Sequence, residues 1–407
     1  MEFTTAVLHG SKMHYANGAT LPPINQVSAF EHDSMEELEK IFAHKASGFA
    51  YTRIGNPTVM AFEQRVAALE KGIGAVATAS GMSAIAQTFL SILSSGDEVI
   101  ASKTLYGGTI ELFAILRNLG ISVKTINPFS SENIKNAITP KTKLVFGEVI
   151  SNPALEITDI ADVAQTVHSF SIPLVLDSTT ATPYLCNPLS LGADIVIHSS
   201  SKYINGSSDA ISGIVVDGGK FSWDKERYPS LAPFCKYGKL AFLVRLREQV
   251  AAEVGACLAP FNAYLNIIGL ETLALRMNRI CENAHLLAKE ISKIEGIEVR
   301  YPLLETSPYK TIAENQLKNF GGGILTLRVG SKERAFKIIN SLKYAKIASN
   351  IGDVRTLVIH PASTLYIHNT KDEMNDAGVF DDTIRVSVGI EESSDLIEDF
   401  VSVLKNG

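Results

Sequence analysis

Two apolar segments of the chain end in side chains that can do covalent and acid–base chemistry. The run Leu174–Leu176 ends in Asp177, and about twenty residues later the run Ile195–His198 is followed by Ser199-Ser200-Ser201-Lys202. In an open parallel sheet, ligands bind beyond the carboxyl ends of the strands, so Asp177 and Lys202 are expected to face one crevice. A lysine there can form a Schiff base with an aldehyde, and an aspartate beside it can pair with a protonated pyridine nitrogen.

A third segment supplies a place for an anion. Ser80-Gly81-Met82-Ser83 follows an apolar run and opens a helical pattern, and the glycine allows a ligand to approach the backbone. Free amides at a helix start and the helix dipole favour a negative group, most simply a phosphate. The same segment is also consistent with a capping turn that binds no ligand. The hydroxyls of Ser199 and Ser201 are expected to join Gly81 around the phosphate.

An amine, a counter-charge and an anion cradle are together what pyridoxal 5'-phosphate (PLP) requires, so the sequence predicts a PLP site. Lys202 is the expected Schiff-base lysine, and Asp177 is the expected partner of the ring nitrogen. The alternative is that Asp177 caps a helix and that Lys202 is a solvated loop charge. The nine histidines and four cysteines show no spacing typical of metal ligands, so no metal is predicted.

Alternating strands and helices position these residues. The pair Asn56-Pro57 is typical of a helix start, and the helical pattern that follows ends at Gly72. Beyond it, helical segments separate seven short strands rich in Val, Ile and Leu, at 75–79, 98–101, 121–126, 144–150, 173–176, 194–198 and 211–216. This pattern predicts an α/β fold whose mainly parallel sheet is covered on both faces.

The last part of the chain has a different pattern. Residues 218–239 are predicted to form a long loop, and a helical pattern then runs from about 240 to 294 with a break near Pro260. Strand-like and helical pieces alternate after residue 297, at 323–329, 334–342, 356–359, 383–388 and 396–404. We therefore expect a smaller α+β domain at the C-terminal end.

Composition excludes several classes of partner. The chain has 407 residues with 37 Lys and Arg against 43 Asp and Glu, and this net charge of −6 gives no general attraction to nucleic acid or anionic membranes. No apolar run approaches the roughly 20 residues of a membrane span, and residues 1–10 lack the pattern of a secretory signal. The four cysteines form no CxxC pair. They fit a reducing compartment, so we expect a cytoplasmic protein.

Longer motifs resemble one enzyme family. Leu176–Thr179 followed by His198–Tyr203 resembles the cystathionine γ-synthase-like family of PLP enzymes, which act on cysteine, homocysteine and methionine precursors. The resemblance runs over nearly the whole chain, and its further motifs are Tyr51–Thr58, Ser80–Ala84, Leu105–Thr109, Ser151–Pro153, His360–Ser363 and Ile384–Gly389.

The resemblance implies an aspartate-aminotransferase-like fold (fold type I) with a seven-stranded sheet. It also implies an N-terminal arm at 1–55 that contributes to a neighbouring subunit, a PLP-binding domain at 56–255 and a C-terminal α+β domain at 256–407.

The resemblance also implies roles for single residues. Lys202 would form the Schiff base and move protons between Cα and Cβ, Asp177 would bind the ring nitrogen, and Tyr106 would stack on the ring and assist proton transfer. The phosphate would be held by Gly81, Met82, Ser199 and Ser201. Tyr106 as an ordinary core residue is the alternative for that position.

Other implied roles connect the cofactor with the substrate and with a second subunit. Asn152 would contact the ring's 3-oxygen, and Arg385 would bind the substrate carboxylate unless it forms a surface ion pair instead. Asn350 would contact either that carboxylate or Lys202. Tyr51 and Arg53 lie two residues apart, so an extended segment would point both at one target, which in the family is the phosphate and substrate of the neighbouring subunit's site.

Several positions resemble the O-acetylhomoserine sulfhydrylase branch of this family. Methionine γ-lyases typically carry a cysteine where this chain has Gly108, and Ser349–Asp353 also resembles the sulfhydrylases. Leu365-Tyr366 departs from the family's usual Thr-His, and the 218–239 loop is shorter than in many sulfhydrylases. These two departures leave the sulfur donor open.

The expected activity is PLP-dependent replacement of the γ-acetoxy group of O-acetylhomoserine by sulfide or another sulfur donor, giving homocysteine and acetate in methionine biosynthesis. The expected assembly is a homotetramer, with a dimer as the minimum. The alternatives are a methionine γ-lyase, a cystathionine γ-synthase or γ-lyase, an O-succinylhomoserine enzyme, and a synthase that takes sulfur from cysteine or a carrier protein. From another class, a relative of the fold that only binds a ligand or partner stays open.

Overall fold

The computed structural model describes residues 1–10, 15 and 18–406, and its strands form two separate sheets. The strands of the larger sheet are β1 Gly74–Thr78, β2 Glu98–Ser102, β3 Ser122–Ile126, β4 Thr142–Glu148, β5 Leu174–Asp177, β6 Ile195–His198 and β7 Gly213–Asp217. The strands of the smaller sheet are β8 Glu298–Arg300, β9 Ile324–Arg328, β10 Lys346–Ile347, β11 Leu357–Ile359 and β12 Thr383–Ser387.

The α-helices of the described residues occur before, between and after these strands. Up to β7 they are α1 Phe3–His9, α2 Met35–Phe42, α3 Pro57–Glu70, α4 Gly81–Ile92, α5 Gly107–Asn118, α6 Ser131–Ala137, α7 Ile160–His168, α8 Thr182–Leu185 and α9 Pro188–Leu191. After β7 they are α10 Ala241–Arg245, α11 Ala252–Val254, α12 Pro260–Glu271, α13 Leu273–Ile291, α14 Lys310–Gln316, α15 Lys332–Ser341, α16 Lys371–Asp376 and α17 Ser393–Asn406.

The larger sheet is seven-stranded and mostly parallel, which confirms the predicted fold class. Its order is β1-β7-β6-β5-β4-β2-β3, and only β7 runs antiparallel to its neighbours. Strands β1, β4, β5 and β6 therefore end at the same edge of the sheet. Apolar side chains cover both faces, so β6 and β7 are buried along their whole length. A sheet buried on both faces needs continuous Val and Ile runs, and these runs made the strands recognisable in the sequence.

The smaller sheet is mixed, with the order β10-β11-β12-β9-β8, and it confirms the expected C-terminal α+β unit. Helices α13, α15 and α17 pack with β9 and β12 around a separate apolar core. Strands β8 and β10 were not predicted. The boundaries of the arm and of the two domains stay predictions.

Capping residues begin the helices that flank the site. The side chain of Asn56 accepts a hydrogen bond from the Thr58 N–H at the start of α3, as the sequence indicates. The Ser80 hydroxyl accepts one from the Ser83 N–H at the start of α4. These caps satisfy N–H groups that have no partner inside the helix.

Two predictions after β7 need correction. The predicted loop at 218–239 instead ends in 3₁₀-helical turns over Pro229–Leu240. Proline is common in loops but also fits the first turn of a helix, so its presence does not distinguish the two. The helical pattern from 240 to 294 breaks before Pro260, as predicted, because α11 ends at a left-handed Gly255 and α12 begins at Pro260. It is also interrupted by a π-helical turn at Leu246–Ala251 and by a break at Thr272, which were not predicted.

Among the described residues, no helix has both the length and the apolar character needed to span a membrane.

Candidate active site

One cavity of about 520 Å³ lies at the edge where β4, β5 and β6 end. It brings together most of the site residues that the sequence predicts, from both halves of the chain: Gly81, Met82, Tyr106, Asn152, Asp177, Ser199, Ser201, Lys202, Asn350 and Arg385. Asp177 and Lys202 therefore line one cavity, as the parallel-sheet argument predicts.

Lys202 follows β6 and is half-buried in this cavity. Its ammonium group donates a hydrogen bond to the side-chain oxygen of Asn350, which is one of the two contacts the resemblance implied for Asn350. Burial and the nearby charge of Arg385 lower the pKa of Lys202 to about 8. A substantial fraction of this amine is therefore neutral near physiological pH, as a nucleophile or a base requires.

Two carboxyl groups lie side by side on one face of the sheet. Asp177 ends β5, Glu148 ends β4, and the two residues are paired in the register of these strands. Asp177 accepts a hydrogen bond of 2.8 Å from the N–H of Thr179. Burial raises the pKa of Asp177, although hydrogen bonds from Thr179 and the nearby His198 oppose the shift.

The pKa of Glu148 is also raised. Burial and the charge of Asp177 raise the pKa of Glu148 well above that of an ordinary glutamate. Hydrogen bonds from the N–H groups of Tyr106 and Asn152, one to each carboxyl oxygen, oppose this rise in pKa.

The start of α4 and the loop after β6 approach each other closely at Gly81. A Cβ atom at this position would lie 2.5 Å from Cβ and 2.8 Å from Oγ of Ser199, so only glycine fits. The Ser80 hydroxyl accepts a hydrogen bond from the Ser83 N–H. The first turn of α4 lines the cavity through Gly81 and Met82. The Ser201 hydroxyl also lines the cavity, but it bonds to the backbone of Ser212, with Oγ donating to the carbonyl at 2.9 Å.

Arg385 on β12 is buried, with 3% of its surface exposed. Its guanidinium donates hydrogen bonds to the side-chain oxygen of Asn152 at 3.3 Å and to the backbone carbonyl of Asn350 at 3.1 Å. Its Nε has no partner, and among the described residues no carboxylate forms an ion pair with it. Burial lowers the pKa of Arg385 to about 10, so the group stays charged at neutral pH. The surface ion pair considered for this residue is wrong.

Tyr106 precedes α5, and its side chain is 40% exposed where it lines the cavity, so it is not an ordinary core residue. A Cβ atom at Gly108 would lie 2.7 Å from the Tyr106 ring and 3.3 Å from the sulfur of Met82. The ring and Met82 therefore occupy the space that a side chain at residue 108 would need.

Tyr51 and Arg53 do not line the cavity that contains Lys202 of the same chain. Tyr51 is 43% exposed, and the Arg53 guanidinium, 5.5 Å from the Tyr51 ring centroid, donates a hydrogen bond to the carbonyl of Ala252. Arg53 lines a larger cavity of about 600 Å³ that is formed by the N-terminal segment, α3, β1 and residues 247–258. This cavity includes neither Asp177 nor Lys202. Their expected action in a neighbouring subunit stays a prediction.

Sequence reasoning missed three polar residues of the site. Glu148 was placed inside a strand that was predicted to run to Ile150, whereas β4 ends at Glu148. Thr179 supports Asp177, and its hydroxyl accepts a hydrogen bond from the Ser199 N–H at 2.8 Å. Ser208 accepts one from the Asn350 side chain at 2.8 Å. The signal that identified Asp177, a carboxylate at the end of an apolar run, does not identify Glu148, because Val149 and Ile150 continue that run.

Within the described ranges, no group of three or more His, Cys, Asp or Glu side chains has the arrangement of a metal site.

Comparison with known proteins gives a consistent result. The family described as Cys/Met metabolism PLP-dependent enzyme matches residues 3–405. The chain belongs to this family. The O-acetyl-L-homoserine sulfhydrylase of Corynebacterium glutamicum is 38% identical to it over 416 residues, which cover 98% of this chain and 95% of that protein. The L-methionine gamma-lyase of Fusobacterium nucleatum subsp. polymorphum is 39% identical over 398 residues, which cover 97% and 96%.

The fold of this Cys/Met metabolism PLP-dependent enzyme also matches a crystal structure from Campylobacter jejuni. That protein, a candidate O-acetylhomoserine (thiol)-lyase, aligns over 100% of both chains with a TM-score of 0.95 and 32% identity, and it contains N'-pyridoxyl-lysine-5'-monophosphate. The cofactor of the family is PLP.

The cavity fits this cofactor chemically. It offers an amine for the aldehyde, a buried carboxylate for the ring nitrogen, and the open first turn of α4 beside Ser199 for the phosphate. The substrates of the family are small sulfur amino acids.

Proposed function

We propose that this enzyme replaces the γ-acetoxy group of O-acetylhomoserine with a sulfur nucleophile in methionine biosynthesis. With sulfide, the carbon–oxygen bond at Cγ breaks, a carbon–sulfur bond forms there, and the products are homocysteine and acetate. The observation that carries this choice is Gly108, because the space next to it is filled by Tyr106 and Met82, whereas methionine γ-lyases typically have cysteine there.

PLP supplies an aldehyde that condenses with an amine, and a protonated ring that takes up the electron pair of a broken Cα–H bond. Lys202 is the proposed attachment site and the base that moves protons at Cα and Cβ of the substrate. The low pKa of its amine, about 8, suits both tasks. The Asn350 side chain holds the amine in place through its oxygen.

Other residues of the cavity are proposed to bind the ring and phosphate of PLP and the carboxylate of the substrate. Asp177 is proposed to keep the ring nitrogen protonated, and the first turn of α4 with Gly81, Met82 and Ser199 is proposed to bind the phosphate. Arg385 is proposed to bind the α-carboxylate of the substrate, since a planar guanidinium with only uncharged partners suits a two-oxygen ligand. Asn152 is proposed to contact the 3-oxygen of the ring.

The second candidate function is methionine γ-lyase activity, and the relatives of that name favour it, because their identity to this chain is as high as that of the sulfhydrylases. Product analysis separates the two. PLP-loaded enzyme is incubated with O-acetylhomoserine, O-succinylhomoserine or methionine, each with sulfide and with cysteine. We expect homocysteine and acetate from O-acetylhomoserine and sulfide. Methanethiol from methionine, with no homocysteine from the first mixture, would assign the lyase reaction instead.

We also propose that paired subunits share their sites within a homotetramer. The N-terminal segment supports this, because α2 has no buried residue and Val27, Met35 and Phe42 are 48%, 72% and 61% exposed. An apolar arm of this kind is expected to cover another chain. Tyr51 and Arg53 would then reach the phosphate and the substrate in the partner subunit.

A further inference from the structure

Two buried side chains hold one peptide group beside the active-site cavity. The peptide joins Leu105 to Tyr106, and its carbonyl oxygen accepts a hydrogen bond of 3.2 Å from the Tyr366 hydroxyl. Its N–H donates one of 2.7 Å to Oε1 of Glu148. Tyr366 is 1% exposed and Glu148 is 7% exposed, so water does not replace either partner. Because the nitrogen of this peptide is bonded to Cα of Tyr106, its orientation sets the position of the Tyr106 Cα and the direction of its side chain.

Glu148 holds a second peptide with its other oxygen. Oε2 accepts a hydrogen bond of 3.1 Å from the N–H of Asn152. The Asn152 side-chain oxygen in turn accepts a hydrogen bond from Arg385. One carboxyl group therefore connects the two loops that carry Tyr106 and Asn152. A glutamine could accept only one of these two N–H groups, because its amide nitrogen is a donor.

The two ends of this arrangement come from different parts of the fold. Glu148 ends β4 of the larger sheet, whereas Tyr366 follows the short 3₁₀ turn Pro361–Ser363 after β11 of the smaller sheet. The position of the Tyr106 loop thus depends on both parts of the chain.

We propose that Glu148 is a positioning residue for the reaction, and that with Tyr366 it clamps the Leu105–Tyr106 peptide so that Tyr106 and Asn152 keep their places around the cofactor ring. The proposal rests on the proposed PLP chemistry of this cavity. It does not depend on which sulfur amino acid is the substrate, because the clamp acts on the cofactor-facing loops.

The test compares Glu148→Gln with Glu156→Gln in the PLP-loaded enzyme. Glu156 is a matched control, because its side chain accepts a hydrogen bond from the Thr104 hydroxyl nearby and contacts neither peptide. We expect Glu148→Gln to lower kcat about tenfold or more while KM changes less than about threefold, and Glu156→Gln to leave both unchanged. The near-visible circular dichroism of bound PLP should change only in Glu148→Gln, since it reports the surroundings of the ring.

A second variant tests the other end of the clamp. Tyr366→Phe removes one hydroxyl and should also lower kcat. In the double variant, the fold decrease in kcat should be smaller than the product of the two single fold decreases, because both side chains hold one peptide. If Glu148→Gln does not fold, Tyr366→Phe carries the test.

The proposal is overturned by wild-type kcat and circular dichroism in Glu148→Gln, or by a loss of thermal stability with unchanged kcat per bound PLP. If Glu148→Gln does not fold, wild-type kcat in Tyr366→Phe overturns it. All variants are assayed with the substrate that product analysis identifies for the wild type. An error in the proposed reaction therefore changes the products of the wild-type enzyme, but it does not change the ratio of variant to wild-type kcat.

Discussion

The proposed chemistry depends on the amine of Lys202. Its lowered pKa predicts how the rate of PLP attachment changes with pH. Only the neutral amine can attack an aldehyde, and burial beside Arg385 lowers the pKa of Lys202 to about 8. We expect the rate of PLP attachment to the apoenzyme to rise about tenfold between pH 7 and 9 and then to level off, whereas a lysine with an ordinary pKa would continue to gain through pH 10. The near-visible absorbance after mixing measures this rate.

Lys202→Ala is the control for that measurement. It should bind PLP without a covalent link that borohydride reduction can trap, and it should lose turnover. A rate that climbs without levelling to pH 10, or a trapped adduct on another lysine in the wild type, would contradict the assignment.

Arg385 makes a separate prediction, because it is a buried cation whose partners in the described chain are uncharged. Arg385→Lys keeps the charge but cannot hold both oxygens of a carboxylate. We expect KM for the amino-acid substrate to rise about tenfold or more, with a smaller change in the affinity for PLP. Steady-state kinetics and a PLP titration measure the two effects.

The matched control is Arg328→Lys on the neighbouring strand β9. Arg328 is more exposed and forms an ion pair of 2.9 Å with Asp382. This variant should keep the wild-type KM. An unchanged KM in Arg385→Lys would remove this residue from substrate binding.

At the scale of the elements, the close approach of α4 to the loop after β6 predicts an effect on the cofactor. In Gly81→Ala the new methyl group would lie 2.9 Å from Cα of Ser199, so backbone must move and the phosphate site must widen. We expect PLP to bind about tenfold more weakly or worse, while the unfolding midpoint of the apoenzyme falls by only a few degrees, about what 1 kcal/mol gives. Fluorescence titration with PLP measures the affinity, and an unchanged dissociation constant would refute a phosphate role for this turn.

The central elements of this fold could be predicted from sequence because both faces of the larger sheet are buried. Continuous apolar runs marked its strands, and the residues at the ends of β5 and β6 identified Asp177 and the segment leading to Lys202. Ser80 and Asn56 marked the starts of α4 and α3 for the same local reason, since each caps free N–H groups.

The remaining features depend on contacts that local patterns do not contain. Val149 and Ile150 extend the apolar run of β4 beyond its true end, so Glu148 was placed inside a strand and its role was missed. Strands β8 and β10 are short, and none of their residues is buried, so no apolar alternation marks them. The hydrogen bond between Lys202 and Asn350 connects residues that follow strands of different sheets. Only the family resemblance suggested this contact.

At the scale of the whole molecule, the segment before α3 has contacts of two kinds. Helix α1 packs against α3 and α12 of its own chain, with Val7 buried. Residues from Ile24 to Phe42 instead expose several large apolar side chains, although the Asn56 side chain holds this segment through the carbonyl of Asn25 at 2.8 Å. A tethered segment with an uncovered apolar surface is suited to a contact with a second copy, which is how Tyr51 and Arg53 would reach another site.

Sharing of sites between chains predicts complementation between two inactive variants. Arg53→Ala and Lys202→Ala should each be inactive alone. A hybrid pair contains one site with both residues intact, and random pairing makes half of the pairs hybrids, so an equal mixture should regain about a quarter of the wild-type activity. The measurement is turnover of the co-expressed mixture without separation, and different tags on the two variants show by sequential capture that hybrids have formed.

The matched control pairs Asp177→Ala with Lys202→Ala. Both of these residues line the cavity of the same chain, so every site of this hybrid lacks one of them and no activity should return. Recovery with Arg53→Ala but not with Asp177→Ala would therefore place Arg53 in the neighbouring subunit's site. Hybrids that stay inactive in both mixtures would show that Arg53 acts within its own chain, and the N-terminal segment would then have no part in a shared site.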